Sequence, residues 1–199
     1  DGAGGTNRKA TMDRLATYMA TKIGGGTEFI SSTDISNAGT FAFTGFDDSK
    51  YDVYKLFFSN LTPANDNTNF QMVSSSNGGS SYDTSANSYT IANLYSQSGY
   101  IAGAGSLAGY AYMPVTGSMG TASGEEGGAS IEITIFGPHL AQYTHFQTRA
   151  YYVSNGSQPA HQKGGHNRVS AADVDAVRFA FSSGNIASGT FTAYGMVNS

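Results

Sequence analysis

The four histidines of this 199-residue sequence are the first candidates for chemistry, because they all fall between residues 139 and 166. They are His139, His145, His161 and His166. A loop between His161 and His166 could bring both imidazoles to one metal ion. No further ligand at zinc-type spacing accompanies them, and the chain has no cysteine. We therefore expect histidines of strands and loops, and no metal site.

Carboxylates are the second candidates, because hydrolysis of a glycoside needs a pair of them around the bond. Asp47, Asp48 and Asp52 cluster around a predicted turn, but the calcium-loop pattern is absent. Glu125 and Glu126 are adjacent in a glycine-rich loop that would hold them poorly, so we interpret them as solvated charges. With no Gly-x-Ser-x-Gly elbow and no nucleotide-binding loop, the sequence predicts no catalytic residue, no cofactor and no enzyme activity.

Tyrosines in polar segments rich in glycine and serine are the candidates for binding. A tyrosine offers a flat apolar ring and a hydroxyl group at small entropic cost, which suits sugar rings and protein surfaces. The alternative, that these rings only cover the edges of the fold, stays open. The candidate ligand-binding residues are Tyr95, Tyr100, Tyr110 and Tyr112. With the loops at 139–145 and 155–168 they are expected to form the recognition surface, because loops carry the binding groups of such scaffolds.

Composition restricts the fold and the partners. The chain has 26 glycines, only 12% charged residues and 13% aromatic residues, which favours turns and an aromatic core over helices or disorder. The net charge is −4 and no basic cluster exceeds the Arg8–Lys9 pair, so we expect no nucleic-acid partner. No stretch approaches the ~20 apolar residues of a membrane span, so we expect no membrane insertion.

Alternation of apolar and polar residues predicts about eight strands between residues 27 and 199. Asn77-Gly78-Gly79 is expected to close a hairpin between 70–73 and 89–91, and residues 96–128 are interpreted as a surface excursion or weakly paired strands. The fold class is all-β, a jelly-roll-like β-sandwich over residues 27–199 preceded by one short N-terminal helix. The side chains expected to point inward are Phe41, Phe43, Phe57, Ile131, Ile133, Ile135, Phe179 and Phe181.

Residues 1–26 are expected to form a flexible lead and one short oligomerisation helix. Thr11 can cap this helix, and three glycines at 24–26 end it. An apolar stripe at helical spacing is formed by Met12, Leu15, Met19 and Ile23. Such a stripe packs either on its own domain or against the same helix of identical chains.

Several segments resemble tail-fibre and other virion structural proteins of tailed bacteriophages. They are Phe43–Asp47, Tyr51–Leu56, Asn60–Pro63, Asn77–Asp83, Val174–Gly189 and Tyr194-Gly195. The lead of residues 1–11 is similar to the linker before such modules, whereas 96–128 matches nothing in them. The resemblance implies a virion protein, commonly trimeric, that contacts other virion proteins on the tail fibre or capsid surface.

Two functions follow from this resemblance, and a third is weaker. The first is a receptor-binding module that attaches the phage to the host surface, through glycan. The second is a purely architectural head-fibre or capsid decoration protein without glycan binding. A polysaccharide depolymerase would need a carboxylate pair in a groove, which the sequence does not display.

Replacing Leu15 by Asp tests the oligomeric state. A 13-residue helix is only marginally stable alone, so its stripe must be buried, and we expect a homotrimer with the stripe at the contact. Light scattering should give three times the 20.7 kDa chain mass for the parent and a monomer for Leu15→Asp. Thr17→Asp, on another face of the helix, is the matched control and should stay trimeric. A monomeric parent at micromolar concentration would contradict the prediction.

Overall fold

The computed structural model describes residues 12–15, 18, 26–125 and 127–197. Met12–Leu15 and Tyr18 are helical, with Met12 and Leu15 exposed. Met19, Ile23 and the lead lie outside the described residues. No helix among the described residues is long and apolar enough to cross a membrane.

Twelve strands make up most of the described chain. The strands are β1 (Thr27–Ala38), β2 (Phe41–Phe43), β3 (Tyr51–Pro63), β4 (Phe70–Ser75), β5 (Tyr89–Gln97), β6 (Tyr100–Tyr110), β7 (Met113–Pro114), β8 (Ala129–Phe136), β9 (His145–Ser154), β10 (Gln158–Arg168), β11 (Ala176–Phe181) and β12 (Ile186–Val197).

Two antiparallel sheets confirm the predicted all-β sandwich. The large sheet has the order β1-β12-β3-β8-β9-β10-β5-β6, and the small sheet the order β2-β11-β4-β7. Eight of the strands follow the jelly-roll path: β1, β3, β8 and β12 lie in the large sheet, and β2, β4, β7 and β11 lie opposite them. Successive strands therefore pass from one sheet to the other, except between β4 and β7, which pair directly.

The remaining four strands are two inserted hairpins, and both extend the same sheet. The hairpin β5–β6 interrupts the chain between β4 and β7, and the hairpin β9–β10 interrupts it between β8 and β11. Strand β10 pairs with β5 along nine residues, so the two insertions join each other as well as the jelly roll. The large sheet is consequently twice as wide as the small one.

The core is an aromatic cluster between the sheets. Phe58 of β3 lies at its centre, with ring centroids 5.1 Å from Phe70, 4.8 Å from Phe179 and 5.2 Å from Phe191. Phe58 and Phe191 come from the large sheet, whereas Phe70 and Phe179 come from the small one. Edge-to-face contacts of this kind add to the free energy of burying the rings, and they hold the two sheets together.

Most of the side chains expected to point inward do so, but Phe57 does not. Phe43, the three isoleucines of β8, Phe179 and Phe181 are buried, and Phe41 packs against the core. In the middle of β3 the buried positions alternate at Tyr54, Leu56 and Phe58, and Phe57 therefore lies on the outer face. Because residues 57 and 58 are both apolar, the sequence alone does not show which of the two side chains points inward.

The prediction of a hairpin at Asn77-Gly78-Gly79 is wrong, although these residues do form a turn. Gly78 and Gly79 have φ values of 69° and 81°, a conformation that favours glycine. The strands on either side, β4 and β5, lie in different sheets, so this turn opens a crossover. Within 96–128, β6 is a long strand paired along β5, which agrees with the interpretation of paired strands there.

A buried arginine joins the two crossovers that lead to and from the insertions. Arg168, at the end of β10, is only 2% exposed. Its Nε lies 2.5 Å from Asp83 Oδ2, and its Nη1 donates to the carbonyl oxygens of Ala172 and Asp173 at 2.9 and 2.8 Å. The Tyr89 hydroxyl lies close by, donating to the Asp83 carbonyl at 3.0 Å and accepting from the Ser74 amide at 2.7 Å. These contacts fix both insertions to the small sheet.

Arg168→Met should strongly destabilise the protein. It leaves two carbonyl groups and the Asp83 carboxylate without their partner. Because that carboxylate is 33% exposed and can be hydrated in part, we expect a loss of about 1–3 kcal/mol. Urea unfolding followed by circular dichroism measures the change. The double variant Arg168→Met/Asp83→Leu should recover part of the loss, because it removes the orphaned charge.

The matched control for Arg168→Met is Lys50→Met, which breaks the exposed ion pair between Lys50 and Glu28 at 2.6 Å. Exposed pairs contribute little, so its urea midpoint should stay near that of the parent. Equal midpoints for Arg168→Met and Lys50→Met would contradict the role of the buried pair.

Candidate binding surface

A shallow trough crosses the outer face of the large sheet, where the inserted hairpins meet the jelly roll. Its floor includes residues with little or no side chain: Gly165 of β10 pairs with Ala92 of β5, and Gly103 of β6 pairs with Leu94, whose exposed side chain borders the floor. A Cβ atom on Gly165 or Gly103 would meet nothing within 4 Å. Two adjoining depressions of about 320 and 400 Å³ lie above this floor and together form the trough.

Charged side chains of neighbouring strands form the walls of the trough. Glu132 of β8, Arg149 of β9 and Lys163 of β10 lie directly opposite one another in register. The Glu132 carboxylate forms long ion pairs with Arg149 Nη1 at 3.9 Å and with Lys55 Nζ at 3.8 Å. These long separations and the exposed side chains leave the charged groups available to a ligand.

One stacked ring pair lies beside the charged row. Tyr151 and His161 also face each other across β9 and β10, with centroids 4.5 Å apart and planes 7° apart. Tyr151 is 53% exposed. Partial burial, and the positive charges of Lys163 and Arg149, lower the pKa of His161, so its ring is neutral near pH 7. Because the two rings stack face to face, each covers one face of the other, and the exposed part of Tyr151 is the uncharged surface that this pair, the Tyr151–His161 platform, offers to a ligand. It lies on the other side of the Arg149–Lys163 pair from Gly165.

The sequence-based candidates do not include Tyr151 or Arg149. Lys163 and Gly165 fall within the recognition loop expected at 155–168, but most of that segment is strand β10 and not a loop. Two signals could have found them. The strand 145–153 alternates polar and apolar residues, which places Gln147, Arg149 and Tyr151 on one outer face. The Gly164-Gly165 pair inside a strand marks a place where something approaches the backbone closely.

Beneath the floor, the same strands present a polar cluster to the interior. Gly164 points inward, and a Cβ on it would lie 2.3 Å from His166 Nε2, so only glycine fits there. Thr148 Oγ1 and His166 Nε2 are hydrogen-bonded at 3.1 Å. His166 is 1% exposed, and burial lowers its pKa to about 4. Its Nδ1 has no hydrogen-bond partner among the described residues.

The four histidines do not converge on one point. His139 Nε2 lies 3.6 Å from Asp52 Oδ1, and His145 Nδ1 lies 2.6 Å from Asn167 Oδ1. His161 stacks on Tyr151 at the outer face, whereas His166 is buried below it. In the described part of the chain, no three side chains of the His, Cys, Asp and Glu types are grouped so that they could hold a metal ion.

The four candidate tyrosines lie at opposite ends of the β5–β6 hairpin. Tyr95 and Tyr100 are in ring contact at 6.3 Å, and the Tyr95 hydroxyl is hydrogen-bonded to Gln97. Tyr110 pairs with Tyr89 at the other end and packs against the core, and Tyr112 follows it in a loop. The structure thus brings together Tyr95 and Tyr100 alone, with Tyr100 59% exposed.

Glu125 is buried, so its interpretation as a solvated charge is wrong. Its carboxylate accepts hydrogen bonds from the amides of Gly156 at 2.7 Å, Ser157 at 2.9 Å and Ala122 at 3.2 Å. The Gly156 amide is the largest cause of its lowered pKa. This carboxylate organises the turn between β9 and β10, which holds the hairpin that carries Arg149 and Lys163.

A second exposed area on the same outer face is apolar. Tyr194 contacts Phe29 and Phe57 edge to face, both with centroids 5.9 Å apart. Phe29 is 60% exposed, and Met196 beside it is 42% exposed. This aromatic patch begins at β1, the strand that follows the N-terminal helix. Its chemistry suits contact with protein.

Comparison with known proteins does not assign the chain to a family. No protein-family model matches the sequence, and no curated protein matches it significantly. The functional argument therefore starts from the trough and the aromatic patch.

His166 should make stability fall in mild acid. A pKa of about 4 in the folded chain against 6.5 in the unfolded chain means that the unfolded state binds the proton first. The contribution of neutral His166 to the free energy of unfolding is fully present above pH 6.5. It is lost as the pH falls towards 4, and amounts to about 3 kcal/mol in total.

Urea unfolding measured between pH 7 and pH 4 tests this, because His166→Gln should flatten the pH dependence in that window. His145→Gln, at the exposed start of the same pair of strands, is the matched control for loss of an imidazole and should keep the urea midpoint of the parent at pH 7. A parent slope that survives in His166→Gln would show that other groups cause it.

Proposed function

We propose that this chain is a non-enzymatic virion module of a tailed bacteriophage that attaches the particle to a glycan of the host surface through the trough. The single observation that carries the proposal is the combination of an open glycine floor, planar polar side chains and the exposed Tyr151–His161 platform. Sugar rings present C–H faces that stack on aromatic rings and hydroxyl groups that pair with Arg, Glu and Gln side chains.

The location on a β-sheet face supports this function physically. Trough residues from β8, β9, β10, β5 and β6 are held by continuous backbone pairing, so the site is built before the ligand arrives. A preorganised site avoids the entropic cost of ordering loops on binding. Single sites of this shallow kind bind weakly, and several copies on one particle would raise the avidity by about 10²–10⁴.

The homotrimer is part of this proposal, and so is contact with other virion proteins. The exposed Met12 and Leu15 of the helix, and the aromatic patch at Phe29 and Tyr194, are apolar surfaces that a single chain leaves uncovered. Clustered apolar surface on a protein commonly marks a contact with another chain.

The second candidate function is architectural, a head-fibre or capsid decoration protein that binds no glycan. The aromatic patch of Phe29, Phe57 and Tyr194 favours it, because apolar rings suit a permanent contact with a capsid or tail protein. The two functions differ in whether the trough is occupied, and this can be tested directly.

Gly165→Gln should weaken glycan binding at least tenfold without unfolding the chain. The new side chain projects into open space and fills the floor of the trough, and replacing a strand glycine removes a residue that weakens strands. Binding of the labelled chain to an array of bacterial surface oligosaccharides measures the effect. The parent should bind at least one glycan, and Gly165→Gln should bind it at least tenfold less.

Two controls accompany this variant. Ser36→Gln adds the same side chain to the exposed edge strand β1, far across the sheet, and should bind like the parent. Tyr100→Ala removes an exposed ring of the β5–β6 hairpin outside the trough, and it should also bind like the parent. A parent that binds no glycan would favour the architectural function, and binding that survives Gly165→Gln would move the receptor site elsewhere.

A further inference from the structure

The charges around the trough are unbalanced, although the chain as a whole is acidic. The net charge is −4, and residues 27–199 contain only six lysines and arginines. Three of these lie near the single carboxylate of Glu132: Lys55 and Arg149 form weak ion pairs with it, and Lys163 lies opposite Arg149 on the next strand. The trough therefore carries an excess of positive charge on an otherwise acidic protein.

The other three basic residues are all engaged elsewhere. Arg168 pairs with Asp83, Lys50 lies 2.6 Å from Glu28, and Arg178 stacks over the ring of Tyr82 at 4.2 Å. Lys163 has no ion-pair partner among the described residues. The fold thus leaves Lys163 without a compensating carboxylate, in the middle of the outer face.

Arg149 and Lys163 face each other directly across β9 and β10. Two like charges at directly opposed positions of a sheet destabilise the pairing of their strands. Glu132 lies on the far side of Arg149, next to Lys55, so it does not separate the two cations. On the other side, Lys163 faces Leu94, which offers no charge. An anionic group bound between Arg149 and Lys163 would remove this repulsion.

The ring platform lies next to this cation pair along the same two strands. Tyr151 follows Arg149 by two residues, and His161 precedes Lys163 by two, so platform and cations are about 6.6 Å apart. This separation matches one sugar ring and its substituent. A guanidinium group also pairs with a carboxylate through two parallel hydrogen bonds, which fixes its orientation.

We infer that the trough recognises a carboxylate-bearing sugar, a uronic or related acidic unit of a surface polysaccharide. The Tyr151–His161 platform stacks on the sugar ring, Arg149 and Lys163 bind its carboxylate, and the open floor at Gly165 admits the neighbouring unit of the chain. This inference rests on the proposed glycan binding and names the class of glycan.

The test compares matched pairs of sugars by isothermal titration calorimetry. The probes are oligomers of galacturonate, glucuronate and N-acetylneuraminate, each beside its carboxyl-reduced neutral form. At least one acidic oligomer should bind at least tenfold more tightly than its reduced form. Arg149→Gln and Lys163→Gln should each weaken it by about tenfold, the scale of one charge-assisted hydrogen bond, and leave the reduced form unaffected.

Lys50→Gln is the control for charge, because it removes a cation outside the trough and should leave all affinities unchanged. Equal binding of acidic and reduced oligomers, abolished by Gly165→Gln, would overturn the acidic class and keep the proposed function. Absence of binding by every oligomer would overturn the acidic class, whereas the proposed function fails only if the oligosaccharide array also shows no binding. Displacement of the bound acid by millimolar inorganic phosphate would show a general anion site and would overturn the inference as well.

Discussion

The ion pair between the buried Arg168 and Asp83 is the contact on which the width of this sandwich depends. A jelly roll of eight strands is held by the aromatic core between its sheets, but the two inserted hairpins add four strands to one sheet only. Arg168 ends the second insertion, and Asp83 precedes the first. Because a buried charge is tolerated only with a partner, this position fixes where both insertions meet the small sheet. The register of β10 against β5, and with it the trough, follows from that point.

The fold class could be predicted from the sequence because alternation and turn residues are local signals. Phe57 and Phe58 show the limit: two adjacent aromatic residues fit either phase, and only the partner strands decide which one enters the core. The turn at Gly78-Gly79 was visible, but whether the next strand returns to the same sheet depends on contacts distant in sequence, such as Tyr89 with Ser74. The number of strands was underestimated for another reason: β6 is rich in glycine and alanine, so its sequence shows little alternation of apolar and polar residues.

The candidate site was less predictable than the fold, because it is assembled across five strands from segments far apart in the chain. Tyrosine-rich stretches were a reasonable guide to exposed rings, and Tyr100 is exposed. The rings and charges that converge are instead ordinary outward positions of β9 and β10, such as Arg149 and Tyr151, and no local pattern distinguishes them from a solvated sheet face. Glu125 was misjudged because a glycine-rich loop suggests mobility, whereas free amides in such a loop can also enclose a carboxylate.

The separation between inserted hairpins and jelly-roll core has a consequence for how such a surface can evolve. Most of the trough residues belong to β5, β6, β9 and β10, whereas the aromatic cluster that stabilises the fold belongs to the other strands. Substitutions that change ligand preference therefore fall outside the packing that the chain needs to fold. The outward positions of these hairpins can therefore change in sequence while the scaffold between them, and the inward residues such as Phe146 that pack on it, stay the same.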